Sequence, residues 1–194
     1  METDKQSATN MLKRYMRYLK LERNHSDNTI EAYRHDLLML LDFLKEHDLQ
    51  PTAVKLEDLQ QFAVTLHEKG VVAKSQARIL CGVRAFYRFL LLDGEIDADP
   101  SELLESPKLP FHIPEYLTLE EVDQLEASFD MSKPESQRNR AIIEVLFSCG
   151  LRVSELVNLK LSDLYLEEKF VRVIGKGNKE RLVPISDKAI HELE

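Results

Sequence analysis

At 194 residues, with 43% hydrophobic and 31% charged residues, the chain can form one large or two small packed domains and has an ordinary globular composition. No apolar run approaches the roughly 18 residues that span a bilayer, and the polar start METDKQSATN resembles neither a signal nor a transit peptide. The net charge of −8 excludes a uniformly basic nucleic-acid binder, yet a global sum does not exclude a local basic face.

In chain order, the spacing predicts a helix from Ser7 to about Arg23, with Leu12, Tyr15, Met16 and Leu19 on one side. Ser26 suits the N-cap of a second helix carrying Ile30, Tyr33, Leu37, Leu41 and Leu44. A third runs from near Leu56 to Gly70 and a fourth from about Lys74 to Leu92, followed by a short helical pattern at Ser101 to Glu105. Residues 1–106 therefore read as an all-α module. The proline-punctuated stretch 107–114 cannot continue a helix and reads as a linker. Beyond it, Thr118-Leu-Glu-Glu121 is a capping box, a helix follows from Gln137 to Ser148 before Gly150, and Ser154 to Leu159 forms a further helical turn. Then the period changes. Phe170–Ile174 and Arg181–Ile185 are β-rich and joined by a turn-rich segment, and Ser186 caps a last helix. Nothing at Glu194 stops that helix, so residues 115–194 read as the first part of a longer α+β domain. The fold class is mainly α with a small antiparallel β-hairpin or sheet.

Cys81 and Cys149 each sit in an apolar helical run and read as buried free thiols, in keeping with a reducing cytoplasm. No His/Cys cluster has ligand spacing, so no metal is expected. On the fourth helix, Lys74, Arg78, Arg84 and Arg88 fall within an arc of roughly 120°, opposite Ile79, Val83, Phe86, Tyr87 and Leu90. That face is either solvated or neutralises phosphates; the absence of any acid from Val71 to Leu92 favours phosphates. Asn28 and Thr29 open the second helix, with Arg34 and His35 beyond, and suit either capping or contact with a phosphate or base edge.

Near the C-terminus, Arg152 follows a helix-stopping glycine and has Glu155 three residues on. This is either a surface ion pair or a phosphate clamp with its guanidinium held by a carboxylate. Lys176 lies in the turn Gly175-Lys-Gly-Asn, with Lys179 and Arg181 beside it, but a lone GKG turn lacks nucleotide-binding spacing.

Together, GLRVSELVNLKLSDL and VRVIGKGNKERLVPIS resemble the tyrosine recombinase (phage integrase) family, specifically its Xer (XerC/XerD) branch. The likeness extends through SPKLPFHIPEYLTLEEV, HSDNTIEAYRHDL and KSQARILCGVRAFYRFLL, so it covers nearly the whole chain. It implies a SAM-like core-binding domain that grips one side of duplex DNA through Asn28, Thr29, Arg34, Lys74, Ser75, Arg78, Arg84 and Arg88. Lys179 and Arg181 would add contacts from the catalytic domain. It implies that Arg152 binds the scissile phosphate with support from Glu155, and that Lys176 protonates the leaving hydroxyl. A tyrosine nucleophile and a His-x-x-Arg motif would lie beyond residue 194, so the chain by itself is expected to bind DNA without cleaving it. No cofactor is implied. The implied partners are a short, nearly palindromic duplex, a sister recombinase or second protomer in a tetramer on two sites, and a DNA translocase; no membrane is involved. A mobile-element integrase and a non-catalytic DNA-binding regulator are the alternatives. A metal-dependent nuclease is disfavoured, because Glu120, Glu121 and Asp123 read as first-turn helix charges.

Overall fold

The computed structural model describes residues 2–110, 113–175 and 177–194, with side chains from Thr9 onward. The chain forms two compact units, Met1–His112 and Ile113–Glu194.

The first unit is built from α1 (Glu2–Leu21), α2 (Asp27–Glu46), α3 (Leu56–Glu68) and α4 (Ala73–Leu92). Their apolar stripes meet in one core, where Tyr15, Leu37, Leu40, Leu44, Leu59, Phe62, Leu80, Phe86 and Tyr87 are almost fully buried. Tyr15 packs edge-on against Phe86, with ring centroids 5.4 Å apart, and tilts onto Phe89 at 5.2 Å. Burial pushes the Tyr15 and Tyr87 hydroxyls well above the ordinary tyrosine range, so both are core residues.

Two expectations about local structure and burial fail in this unit. Ser101 to Glu105 is not a helix but a turn over Pro100–Leu103 followed by irregular chain, because the backbone N–H and hydroxyl of Ser101 both donate to Asp99 Oδ1, at 2.8 and 2.6 Å. That local bond satisfies the chain in a non-helical form and tucks Leu104 into the core. Cys81 is exposed rather than buried. It projects from the same side of α4 as the cations, away from the stripe formed by Ile79, Val83, Phe86 and Leu90.

The second unit contains α5 (Leu119–Ala127), α6 (Pro134–Cys149), α7 (Val153–Val157) and α8 (Asp187–Leu193). The capping box forms as read: Thr118 N donates to Glu121 Oε2 at 2.8 Å, and Glu121 N donates to Thr118 Oγ1 at 3.3 Å. Helix α6 begins earlier than expected, at Pro134, because proline fits a first helical position. It ends at Gly150, whose φ of +58° turns the chain straight into Arg152. The strands are β1 (Leu164–Tyr165), β2 (Phe170–Ile174) and β3 (Glu180–Pro184), in antiparallel order β1-β2-β3. Two-residue β1 has too short an alternation to be seen in sequence. Val171 and Val173 face a core containing Val145, Leu151, Ile185 and Ala189. Val171 pairs with Val183 and Val173 with Arg181, so the alternation of β3 turns Arg181 toward that same inner face. Lys188 of α8 binds Asp123 and Glu126 of α5 and Glu144 of α6, at 2.8, 2.7 and 3.2 Å, tying three helices together.

Candidate nucleic-acid interface and phosphate site

In the helical unit, the cations of α4 divide into two kinds. Lys74 and Arg88 are exposed and have no hydrogen-bond or ion-pair partner among the described residues. Arg78 does not stand without counter-charge, as the sequence suggested. Its Nη1 donates to Oδ2 of Asp36, a carboxylate on α2 only 2% exposed, at 2.5 Å. Helix α2 approaches closely because residue 82 is glycine: a Cβ there would lie 3.2 Å from Asp36 Oδ2. Arg84 is also engaged, donating through Nη1 to the Leu104 carbonyl and through Nη2 to Ser106 Oγ, both at 2.9 Å. The chain beyond α4 folds back to meet it, a contact that no helical wheel displays.

Asn28, Thr29, Ala32, Tyr33 and Asp36 of α2 face Arg78 and Cys81 of α4 across a groove of about 330 Å³. Ser26 is the N-cap of α2 but makes no capping bond; its hydroxyl shares a 2.9 Å hydrogen bond with Thr29 Oγ1. Arg34 is exposed and lies 3.4 Å from Glu31, a loose surface pair. Ser75 is half-buried near the start of α4.

In the second unit, the site is built around Glu155. Its side chain is only 4% exposed, whereas that of Arg152 is 67% exposed. Glu155 Oε2 accepts from the Arg152 backbone N–H at 2.9 Å, and Oε1 accepts from Arg152 Nη1 at 2.8 Å. The sequence did not reveal that Arg181 reaches the same carboxylate, its Nη1 and Nη2 donating to Oε1 and Oε2, both at 2.9 Å. Arg181, expected from the sequence to face DNA, commits both terminal nitrogens to Glu155. The inward position of Val183, two residues on, is the signal that could have found it. Four donors hold the Glu155 carboxyl at about 2, with the Arg181 hydrogen bonds the largest cause. The carboxylate is therefore a fixed anion over the physiological range. It takes the Arg152 backbone N–H and one guanidinium nitrogen, and leaves the rest of that guanidinium at the surface, a geometry suited to a phosphate. Lys179 is exposed. Lys176, named from the sequence as the hairpin lysine, lies outside the described residues. Among the described residues no group of three His, Cys, Asp or Glu side chains could hold a metal ion, and no helix is long and apolar enough to cross a membrane.

Two family models match the chain: residues 12–94 match the phage integrase N-terminal SAM-like domain, and residues 115–194 match the phage integrase family. The chain belongs to the phage integrase family. Among curated members it is 41% identical over 190 residues to the tyrosine recombinase XerD of Yersinia pestis, covering 98% of this chain and 64% of that protein. It is likewise 41% identical over 184 residues to XerD of Proteus mirabilis, covering 95% of this chain and 59% of the relative. The chain thus spans roughly three-fifths of the length of these relatives. A lambda integrase tetramer solved on a Holliday junction shares the fold, with a TM-score of 0.74 at 18% identity over 94% of this chain and 52% of that one. Arg152, Glu155 and Arg181 all fall within the stretch that matches the phage integrase family.

Proposed function

We propose that this chain is the DNA-gripping and phosphate-binding part of a tyrosine site-specific recombinase of the Xer type. The observation that carries the reading is the pairing of exposed Arg152 with buried Glu155, in a chain 41% identical to a XerD recombinase. In this reading Arg152 binds the scissile phosphate and stabilises the charge that builds on its oxygens during in-line attack. A tyrosine oxygen attacks phosphorus and the bond to the 5′ oxygen breaks. Lys176 gives that oxygen its proton, leaving a 3′-phosphotyrosyl link. None of the six tyrosines in this sequence is assigned as that nucleophile. The 194-residue chain itself binds DNA without cutting it.

The helical unit holds duplex DNA through Lys74, Arg88, Ser75, Asn28, Thr29 and Arg34, with Lys179 contributing from the second unit. The whole enzyme acts with a sister recombinase or a second protomer, as a tetramer on two short near-palindromic sites. It resolves chromosome dimers during segregation in the cytoplasm, in concert with a DNA translocase. The test is a titration of this chain against a duplex carrying a Xer-type half-site and against a scrambled duplex, across a salt series. Tighter binding to the half-site with a steep salt dependence is expected. Equal binding to the two duplexes at every salt concentration overturns the site-specific reading.

A further inference from the structure

We infer that Arg181 is a positioning residue for Arg152: by occupying Glu155 bidentately, it keeps the Arg152 guanidinium available for a phosphate. The inference rests on the phosphate-binding reading of Arg152 given above. A carboxylate and a guanidinium prefer the two-bond, fork-to-fork arrangement. Glu155 could form that arrangement with either arginine, and in the structure Arg181 has it, through Nη1 and Nη2 at 2.9 Å each. Arg152 is left with a single side-chain bond, Nη1 to Oε1 at 2.8 Å, and its backbone N–H fills the remaining place on Oε2. An arginine carries five N–H donors, so only one of those on the Arg152 side chain is spent on Glu155.

Charge points the same way. Two guanidiniums around one buried carboxylate leave the cluster with one net positive charge, whereas a lone Arg152–Glu155 couple would be neutral. Without Arg181 the two-bond seat falls vacant, and Arg152 can close on Glu155 with both ends of its fork, turning from the phosphate.

The surroundings hold Arg181 in that seat. It leaves β3 on the inner face, opposite Val173. The hairpin base closes over it where Gly175 N donates to the Lys179 carbonyl at 2.8 Å. A Cβ on Gly175 would stand 3.0 Å from Arg181 Nη1 and 3.1 Å from Glu155 Oε1, closer than such contacts ordinarily allow. The residue preceding Lys176 is thus pressed against the carboxylate that orients Arg152, and the hairpin and the arginine share one anchor.

The test scans a half-site duplex with single methylphosphonates, which remove one phosphate charge at a time, and measures the affinity of this chain for each. In the wild type, neutralising the phosphate bound by Arg152 weakens binding roughly fivefold. That phosphate is identified as the position whose penalty disappears in Arg152→Ala. Arg181→Lys keeps the charge but cannot make the two-bond fork. It is expected to erase the same penalty while leaving those at other positions intact and the melting temperature near wild type. Gly175→Ala, which crowds the same seat without touching a charge, is expected to reduce the penalty in the same place and decides the matter if Arg181→Lys does not fold. An undiminished penalty at the Arg152 phosphate in the folded variants overturns the inference. So does loss of a penalty at a different phosphate, which would make Arg181 a DNA contact in its own right. If Arg152→Ala changes no position, the phosphate-binding reading of Arg152 fails first and takes the inference with it.

Discussion

The two units each bury a carboxylate beside an arginine, and the two carboxylates behave in opposite ways. The Asp36 side chain of α2 is 2% exposed, and one oxygen accepts from Arg78 while Oδ1 has no partner. Burial dominates there, so its pKa is raised above the ordinary value of 3.8 despite the adjacent cation. The Glu155 side chain of α7 is 4% exposed, but each of its oxygens accepts twice, and its pKa falls from 4.5 to about 2. Desolvation acts on both; the number of donors aimed at the charged form decides the sign. A carboxylate with one bond is an ion tolerated by the fold, whereas one with four bonds is a fixed anion on which a site can be built.

Removing the better-satisfied anion should therefore cost most. Glu155→Gln leaves Arg152 and Arg181 facing each other with no counter-charge, and an amide nitrogen replaces one acceptor. The melting temperature of the 113–194 unit is expected to fall by roughly 10 °C, read from hydrogen-exchange protection at Val171 and Val173 on heating. A change under about 2 °C would show that the four bonds do not stabilise the fold.

The next effect separates the carboxylates by pH. The Glu155 pKa is depressed, so the stability it adds is full above pH 4.5 and is lost as pH falls toward about 2. The gap in melting temperature between wild type and Glu155→Gln should close over that window. The Asp36 pKa is raised, so the folded state binds its proton more readily than the unfolded chain does. Its ionised form costs stability at neutral pH, and that cost is relieved as pH falls through the raised value toward 3.8. The wild type should therefore gain on Asp36→Asn as the solution is acidified, by about 5 °C or less, measured on the core amides of Leu40 and Leu80. Parallel behaviour of the two pairs would break the contrast.

The sequence displayed what is periodic and hid what is paired across distance. The helical stripes, the capping box at Thr118, the stop at Gly150 and the two longer strands all follow from local spacing, and the structure has them. Lys74 and Arg88 are exposed where the helical wheel put them, and Glu155 holds Arg152 as their three-residue separation allowed. The missed arginine partners are long-range. Arg78 meets a carboxylate 42 residues away, Arg84 meets a carbonyl 20 residues on, and Arg181 meets a carboxylate 26 residues back. A wheel assigns a cation to a face but does not show what another element brings to that face. Cys81 was misjudged for a related reason: its neighbours in sequence are apolar, but its own direction on α4 is that of the cations.

The smallest effect concerns the α4 face itself, where Arg78 and Arg88 look alike on a wheel. An arginine that binds a DNA phosphate releases condensed counterions, and its removal lowers the slope of log affinity against log salt by about one. Arg88 has no partner among the described residues, so Arg88→Ala should lower the slope by that amount. Arg78 already spends its charge on Asp36, and the pair as a whole is neutral. Deleting Arg78 alone would strand a buried carboxylate and confuse folding with binding, so the informative variant is Asp36→Asn combined with Arg78→Gln. This double variant removes one charge of each sign, and it should leave the slope within about 0.3 of wild type while Arg88→Ala shifts it fully. Equal shifts in the two would mean that the exposed end of Arg78, 51% accessible beyond its bond to Asp36, reaches a phosphate after all. The buried carboxylate would then be the support of a DNA contact, as Glu155 is proposed to be for Arg152, and the two couples would differ in strength rather than in kind.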